Sequence, residues 1–189
     1  MNYISLGFYA FICIFLIVYY IVPQRYRYIL ITVGSYFFYG YADFKLLTVL
    51  MMITILTYIG GIILQTQRTK LMYAVFVILT LLILVYFKYT NFIVQNINWL
   101  LEGVVKNSSY RIASLDLILP VGLSFIVFQA CTYLGDIYRG KLIAEKNIVR
   151  YAAFVAFFPT VLSGPIQKAR ELLPQIKSPL FFDPDTAKK

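Results

Sequence analysis

Charged residues in this chain come in clusters, and the uncharged intervals between them set what it can fold into. Unbroken uncharged runs cover residues 1–24, 28–42, 46–67, 71–87, 117–135 and 151–167. A helix needs about 20 mostly apolar residues to cross a hydrocarbon core of about 30 Å. Five of the six runs reach or approach that length. The run 28–42 has 15 residues, about 22 Å of helix at about 1.5 Å per residue, so it borrows flanking residues, thins the bilayer or re-enters. Composition agrees: 61% of residues are hydrophobic, 18% aromatic and only 13% charged, where a soluble domain has about a quarter charged. The expectation is an all-α, polytopic transmembrane helix bundle of about six segments, with 1–189 as a single transmembrane region. One segment is short and one is broken by proline.

The net charge is +9. In a soluble chain that would raise nucleic acid as a partner. Here the cations sit between apolar runs, where they set orientation and meet anionic lipid, so the lipid bilayer is the expected partner and nucleic acid is not. With six crossings, the successive loops carry 2, 1, 2, 3 and 4 Lys and Arg, and the tail carries 5. The first three loops favour an N-terminus outside. Six crossings would then put the five tail cations outside as well, against the same rule. Either one run does not fully cross, or more spans follow.

Residues 5–22 read as a retained first span, since no basic stretch precedes them and no small-residue cleavage site follows. Pro23 and the collar QRYRY close it. Gly34, Ser35 and Gly40 in run two, and Gly60–Gly61 in run three, allow close helix approach. After span four the pattern changes: KYTNFIVQNINWLLEGVVK (88–106) places its apolar residues on one helical face. It reads either as an interfacial amphipathic helix lying flat or as a covered surface helix of a larger membrane protein. Residues 107–114 form a loop, 115–140 the fifth span with Pro120 and Gly122 near its start, and 168–189 a polar, proline-punctuated tail.

No histidine occurs anywhere, which removes the commonest general base and metal ligand. No carboxylate pair, nucleophile elbow, phosphate-binding glycine loop or metal spacing is present. Cys13 and Cys131 lie inside apolar runs and read as small packing residues. Gln129 lies mid-span, where it needs a partner: an interhelical hydrogen bond, or a place lining a substrate tunnel. Asp136 and Arg139, at i, i+3 spacing, read as an ion pair or as ligand contacts. Lys88 reads as a snorkelling cation. In FFPTVLSGPI, Pro159 and Pro165 flank Ser163 and Gly164. Proline inside a helix removes a donor and costs about 3 kcal/mol. Irregular backbone at membrane depth survives only against protein or a water-filled cavity. The stretch reads either as a span ending at Pro159 or as a broken helix facing a protein interior, with Pro159, Ser163, Gly164 and Pro165 as tunnel or structural candidates.

Three blocks, YFKYTNF (86–92), LPVGLSFIVFQACTYLGDIYRG (119–140) and YAAFVAFFPTVLSGPIQKARELLPQI (151–176), follow SYFFYGYADFKLL (35–47) in a register that resembles the membrane-bound O-acyltransferases. The alginate O-acetyltransferase branch is the most similar, and the related D-alanyl transfer proteins share the fold. The resemblance implies helices around a tunnel in a thinned membrane core. It implies transfer of an acyl group, usually acetyl, to a hydroxyl of an extracytoplasmic polysaccharide acceptor. The donor it implies is cytoplasmic, acetyl-CoA or an acyl carrier protein, with no covalently bound cofactor and no metal. It leaves room for an extracytoplasmic acyltransferase partner and places the protein in the bacterial plasma membrane.

The same resemblance assigns catalysis to an intramembrane histidine in the second half of the family's chains. None is present here, so no catalytic residue carries over. The expected histidine lies beyond Lys189, the chain reads as an N-terminal part whose C-terminal half is the missing partner, and alone it is expected to be inactive. Two alternatives stand beside this reading: a non-enzymatic transporter or flippase-like protein, for which broken helices are also typical, and an inactive remnant.

Overall fold

The computed structural model describes residues 6–42, 44–104, 112–113, 122–161 and 167–178. All regular structure among them is helical. Helix α1 is Leu6–Ile21 and α2 is Arg27–Ala42, joined through a 3-10 turn at Gln24–Tyr26. Helix α3 spans Phe44–Thr66, α4 Lys70–Val104 and α5 Leu123–Tyr138. Three shorter helices follow: α6 Ile148–Val155, α7 Phe158–Val161 and α8 Ala169–Lys177. Two stretches, Leu47–Thr66 and Lys70–Leu101, are helical, long and apolar enough to cross a membrane.

The junctions follow from local chemistry. Pro23, at φ −54° and ψ 141°, lacks the N–H that would continue α1. The Arg27 guanidinium donates to the Val22 carbonyl at 3.2 Å and lies 4.8 Å from the Tyr19 ring centre, where a cation meets the negative end of α1. Helix α5 ends in a Schellman turn: Gly140, at φ 71°, lets its own N–H reach the Ile137 carbonyl at 2.9 Å, while the Lys141 N–H reaches Asp136 at 2.8 Å. Only glycine takes that left-handed conformation without a Cβ penalty.

Helix α3 is the centre, packed against α2, α4 and α5. Its contact faces are stripped to glycine. A Cβ on Gly61 would lie 2.7 Å from the Tyr133 ring, and one on Gly60 2.7 Å from the Phe76 ring. The core is built from Ile53 and Leu64 of α3, Val127 and Tyr133 of α5, and Tyr151 and Phe154 of α6, all 0% exposed. Many apolar side chains elsewhere face outward, among them Ile17, Ile78 and Leu82. An apolar core inside an apolar shell fits a helical membrane protein rather than one surrounded by water.

Two expectations are corrected. The helix expected to begin at Lys88 is not separate, because α4 runs unbroken from Lys70 to Val104. From Lys70 to Lys88 it rises about 27 Å, close to the thickness of a hydrocarbon core. Nothing between Tyr86 and Trp99 is a helix breaker, so the amphipathic stretch continues the same helix. Asn98 near its end holds Ile112 by two bonds, donating to its carbonyl at 2.9 Å and accepting from its N–H at 3.0 Å. The second correction concerns the polar tail. Its first residues form α8, and Ala169, Leu172, Leu173 and Ile176 bury one face of that helix against α5 and α6.

Candidate functional site: a broken helix beside a cationic groove

The side chains that join α6 to the bundle show its direction. Thr32 of α2 donates to the Val149 carbonyl at 2.9 Å, and the Arg150 guanidinium lies 5.0 Å from the Tyr28 ring centre. Further along, the Tyr151 hydroxyl donates to Thr57 Oγ1 at 2.7 Å. Phe158 then reaches the rings of Phe15 and Phe38, with centres at 5.3 and 5.6 Å. Helix α6 therefore runs alongside α2, away from the end where α2 begins. Phe38 is about 16 Å of helix from Arg27, about half a hydrocarbon core.

The helix stops beside this part of α2. Asn147 caps its start, accepting from the N–H groups of Val149 and Arg150 at 2.9 and 3.2 Å. Its end comes at Val155, before Pro159, and the short turn α7 starts at Phe158. The backbone freed there is met by side chains. Gln129 Nε2 donates to the Phe154 carbonyl at 2.8 Å, and the Phe158 N–H approaches Ser35 Oγ at 3.5 Å. Ala153, Phe154, Val155 and Ala156 are all 0% exposed, so the break at this point lies against protein. Ser163, Gly164 and Pro165 lie outside the described residues.

The chain then comes back. Lys168 and Arg170, opening α8, line one groove with Arg139, Lys141 and Asp136 of the α5 terminus, a space of about 540 Å³. At the other end of α8, the Lys177 ammonium lies 2.7 Å from the Glu145 carboxylate, two residues before the Asn147 cap. Glu145 is 4% exposed, and one of its oxygens also accepts from the Asn147 N–H at 3.1 Å. The end of α3 meets the same loop, where Gln65 accepts from the Ala144 N–H and the Tyr58 hydroxyl donates to the Lys146 carbonyl. Residues 148–161 thus leave one end of the bundle, and α8 lies back at that end.

Among the described residues, ion pairs join Lys177 to Glu145 and Arg170 to Glu171; none joins Asp136 to Arg139. The chain turns out of the helix at Gly140, and the two side chains contribute instead to the same groove. Gln129 is 2% exposed and makes the interhelical hydrogen bond rather than lining this groove. Sequence reasoning passed over Glu145, the tilted Tyr133–Tyr151 ring contact with centres at 4.6 Å, and α8. Two signals for them were present: Asn147 before an apolar run is an N-cap pattern, and Ala169, Leu172, Leu173 and Ile176 have helical spacing.

No family model matches the chain, and no solved structure matches it. Curated relatives do. It is 34% identical over 172 residues to the probable alginate O-acetylase AlgI of Azotobacter vinelandii, covering 88% of this chain and 34% of that protein. Against the Pseudomonas aeruginosa protein of the same name it is 32% identical, over 88% of this chain and 32% of the relative. Against a peptidoglycan O-acetyltransferase of Helicobacter pylori it is 26% identical, over 78% and 32%. The chain spans about a third of the length of the curated relatives it matches. It belongs to the membrane-bound O-acyltransferase family, in the branch of the alginate O-acetylases.

Proposed function

We propose that this chain is part of a membrane-bound enzyme that O-acetylates a cell-envelope or extracellular polysaccharide, taking the acetyl group from a cytoplasmic donor. The similarity to alginate O-acetylases along 88% of the chain carries this reading. The described region supplies scaffold and donor-side entrance. Its buried polar groups, Gln129, Thr57, Tyr133 and Tyr151, are committed to one another and to backbone. They hold the bundle together rather than moving protons. The base that activates the acceptor hydroxyl is expected from residues beyond Lys189.

The topology proposed with it is five crossings and one re-entrant segment. Residues 148–161 enter about halfway, and α8 lies back at the face they left. Arg25 and Arg27, Arg68 and Lys70, Arg139, Lys141, Lys146 and Arg150, and Lys168, Arg170 and Lys177 then all gather on the cytoplasmic side. The tail cations no longer conflict with the first loops, because the sixth run does not cross.

The test begins with the reading frame past Lys189, checked against the intact mass of the native protein. A continuation carrying an intramembrane histidine is the expected result. The complete protein, expressed in a host that makes an unacetylated glycan, should raise the glycan's ester-linked acetate, and a His→Ala change should abolish the gain. Absence of any acetylation by the intact protein with its donor present would overturn the reading.

A further inference from the structure

A smaller space lies between α2, α3 and the start of α6. Its floor holds three hydroxyls, from Thr32 and Tyr36 of α2 and Thr54 of α3. Its mouth is apolar, lined by Met51 and Ile55 of α3 and Ile148 of α6. These three are 47%, 46% and 44% exposed, so the crevice opens sideways between α3 and α6. At about 180 Å³ it is smaller than sites that enclose a whole small molecule. It has room for part of one.

The hydroxyls decide which part. Thr32 Oγ1 lies 2.9 Å from the carbonyls of both Tyr28 and Val149. Thr54 donates to the Leu50 carbonyl at 2.7 Å, and its oxygen is 3.1 Å from the Tyr36 hydroxyl. A hydroxyl carries one proton. That of Thr54 is used on Leu50, so Tyr36 donates to Thr54, and all three protons are committed. A sugar or phosphate on this floor would meet no free hydroxyl donor after losing its water. An alkyl chain gives up no hydrogen bond there.

One helical turn toward the cytoplasmic end, the character reverses. Tyr28 stands one turn before Thr32 on α2, and the Arg150 guanidinium lies 5.0 Å from its ring centre. Tyr58 stands one turn after Thr54 on α3, and its hydroxyl donates to the Lys146 carbonyl. Both walls of the crevice therefore end beside a cationic residue. Arg150 Nε is buried and meets no hydrogen-bond acceptor, and Lys146 is exposed. Among the described residues neither joins a carboxylate, and Glu145, next to Lys146 in the chain, is engaged by Lys177 at 2.7 Å. A guanidinium with an unmet N–H, above a crevice that suits an alkyl chain, complements an anionic head with a hydrocarbon tail.

We propose that this crevice binds one anionic phospholipid, with its phosphate on Arg150 and Lys146 and one acyl chain lying over Thr32, Tyr36 and Thr54. The depth fits. Thr32 and Tyr36 lie about 8 and 14 Å of helix from Arg27, within one leaflet's share of a core of about 30 Å. The lipid braces α6 against α2 and α3 at the end from which the re-entrant segment departs. The site rests on the placement of Arg27 and Lys146 at one membrane surface, and not on acetyl transfer.

The experiment uses the complete protein in detergent. Dioleoyl phosphatidylglycerol and dioleoyl phosphatidylcholine are titrated separately, and bound lipid is counted by native mass spectrometry. Lys146→Gln and Arg150→Gln remove the cations, and Met51→Trp fills the mouth without changing charge. Lys70→Gln, an exposed cation at the same membrane face but outside the crevice, is the control. The expected result is one phosphatidylglycerol bound in preference to phosphatidylcholine. Each of Lys146→Gln and Arg150→Gln should weaken it about fivefold, the effect of losing one cation near a membrane surface. Met51→Trp should weaken both lipids, and Lys70→Gln neither. An equal loss in Lys70→Gln would mean a diffuse cationic surface and overturn the site. Unchanged affinity in Met51→Trp would overturn it too, as would a wild type with no preference for phosphatidylglycerol, the outcome if another part of the protein fills the crevice. Lys146 and Met51 are exposed, so their variants decide the matter even if Arg150→Gln fails to fold. Binding is read without turnover. Lipid retention without any glycan acetylation keeps the site and rejects the enzyme reading, and acetylation without lipid retention does the reverse.

Discussion

The ammonium of Lys177 lies 2.7 Å from the carboxylate of Glu145, and this contact ties the far end of α8 to the loop from which α6 departs. Glu145 is buried, with 5% of its side chain exposed, whereas that of Lys177 is 47% exposed. The pair is therefore screened on one side, and its worth is discounted accordingly. Lys177→Met should lower stability by about 1 kcal/mol and reduce its salt dependence. Adding Glu145→Gln should recover part of that loss, because the buried charge left behind is removed. Thermal unfolding in detergent at low and high salt measures both effects; an additive double variant would mean the two residues are not coupled.

Re-entry predicts sidedness. With Cys13 and Cys131 changed to alanine, Lys146→Cys and Ser178→Cys should both react with a membrane-impermeant maleimide from the cytoplasmic side. Residue 146 precedes α6 and residue 178 follows α8. Labelling of the two positions from opposite sides would mean that the sixth run crosses.

Cysteines at Thr160, Ser163 and Gly164, placed one at a time in the complete protein, test whether the proline-flanked stretch faces a water-filled cavity. Each should react with a small water-soluble thiol reagent, and a larger reagent should react less. Protection of all three in an active protein counts against a cavity there.

Gln129→Leu removes the side-chain donor that meets the Phe154 carbonyl at 2.8 Å and leaves it only backbone donors, among them the Phe157 N–H at 3.4 Å. That carbonyl lies in an apolar interior, so its lost bond is not replaced by water. The expected cost is about 1–2 kcal/mol, read as a lower melting temperature. Gln175→Ala, which removes an exposed bond to the Glu171 carbonyl, should leave the melting temperature unchanged.

The helix glycines are predicted to differ by what stands opposite them. Gly61→Ala pushes a methyl to 2.7 Å from the Tyr133 ring, which is fully buried and packed at 4.6 Å from the Tyr151 ring and so cannot withdraw. Overpacking of this kind costs about 1–3 kcal/mol. At Gly40 a Cβ meets only the end of Leu47 at 3.6 Å. Gly40→Ala should be neutral or stabilising by about 0.5–1 kcal/mol, the helix preference of alanine over glycine. Melting temperatures of the two variants, measured side by side, check the contrast.

The spacing of charges by itself determined that the chain is helical and apolar along most of its length. The reason is local: a run of uncharged residues fits lipid whatever surrounds it, and a proline ends a helix whatever it packs against. Hence α2 and α3 lie within two residues of the uncharged runs 28–42 and 46–67, and α1 within one residue of the span read over 5–22. The direction of the sixth run was not local. Residues 151–167 are as apolar as a crossing span, and only the contacts of Phe158 with Phe38 and of Lys177 with Glu145 decide that the chain turns back. Those pairs are separated by 120 and 32 positions, and a hydropathy pattern holds no information about which distant residues meet. The same holds for the groove. Arg139 and Lys141 belong to the segment after α5, Lys168 and Arg170 to the start of α8, and it took the return of α8 to put all four around one space.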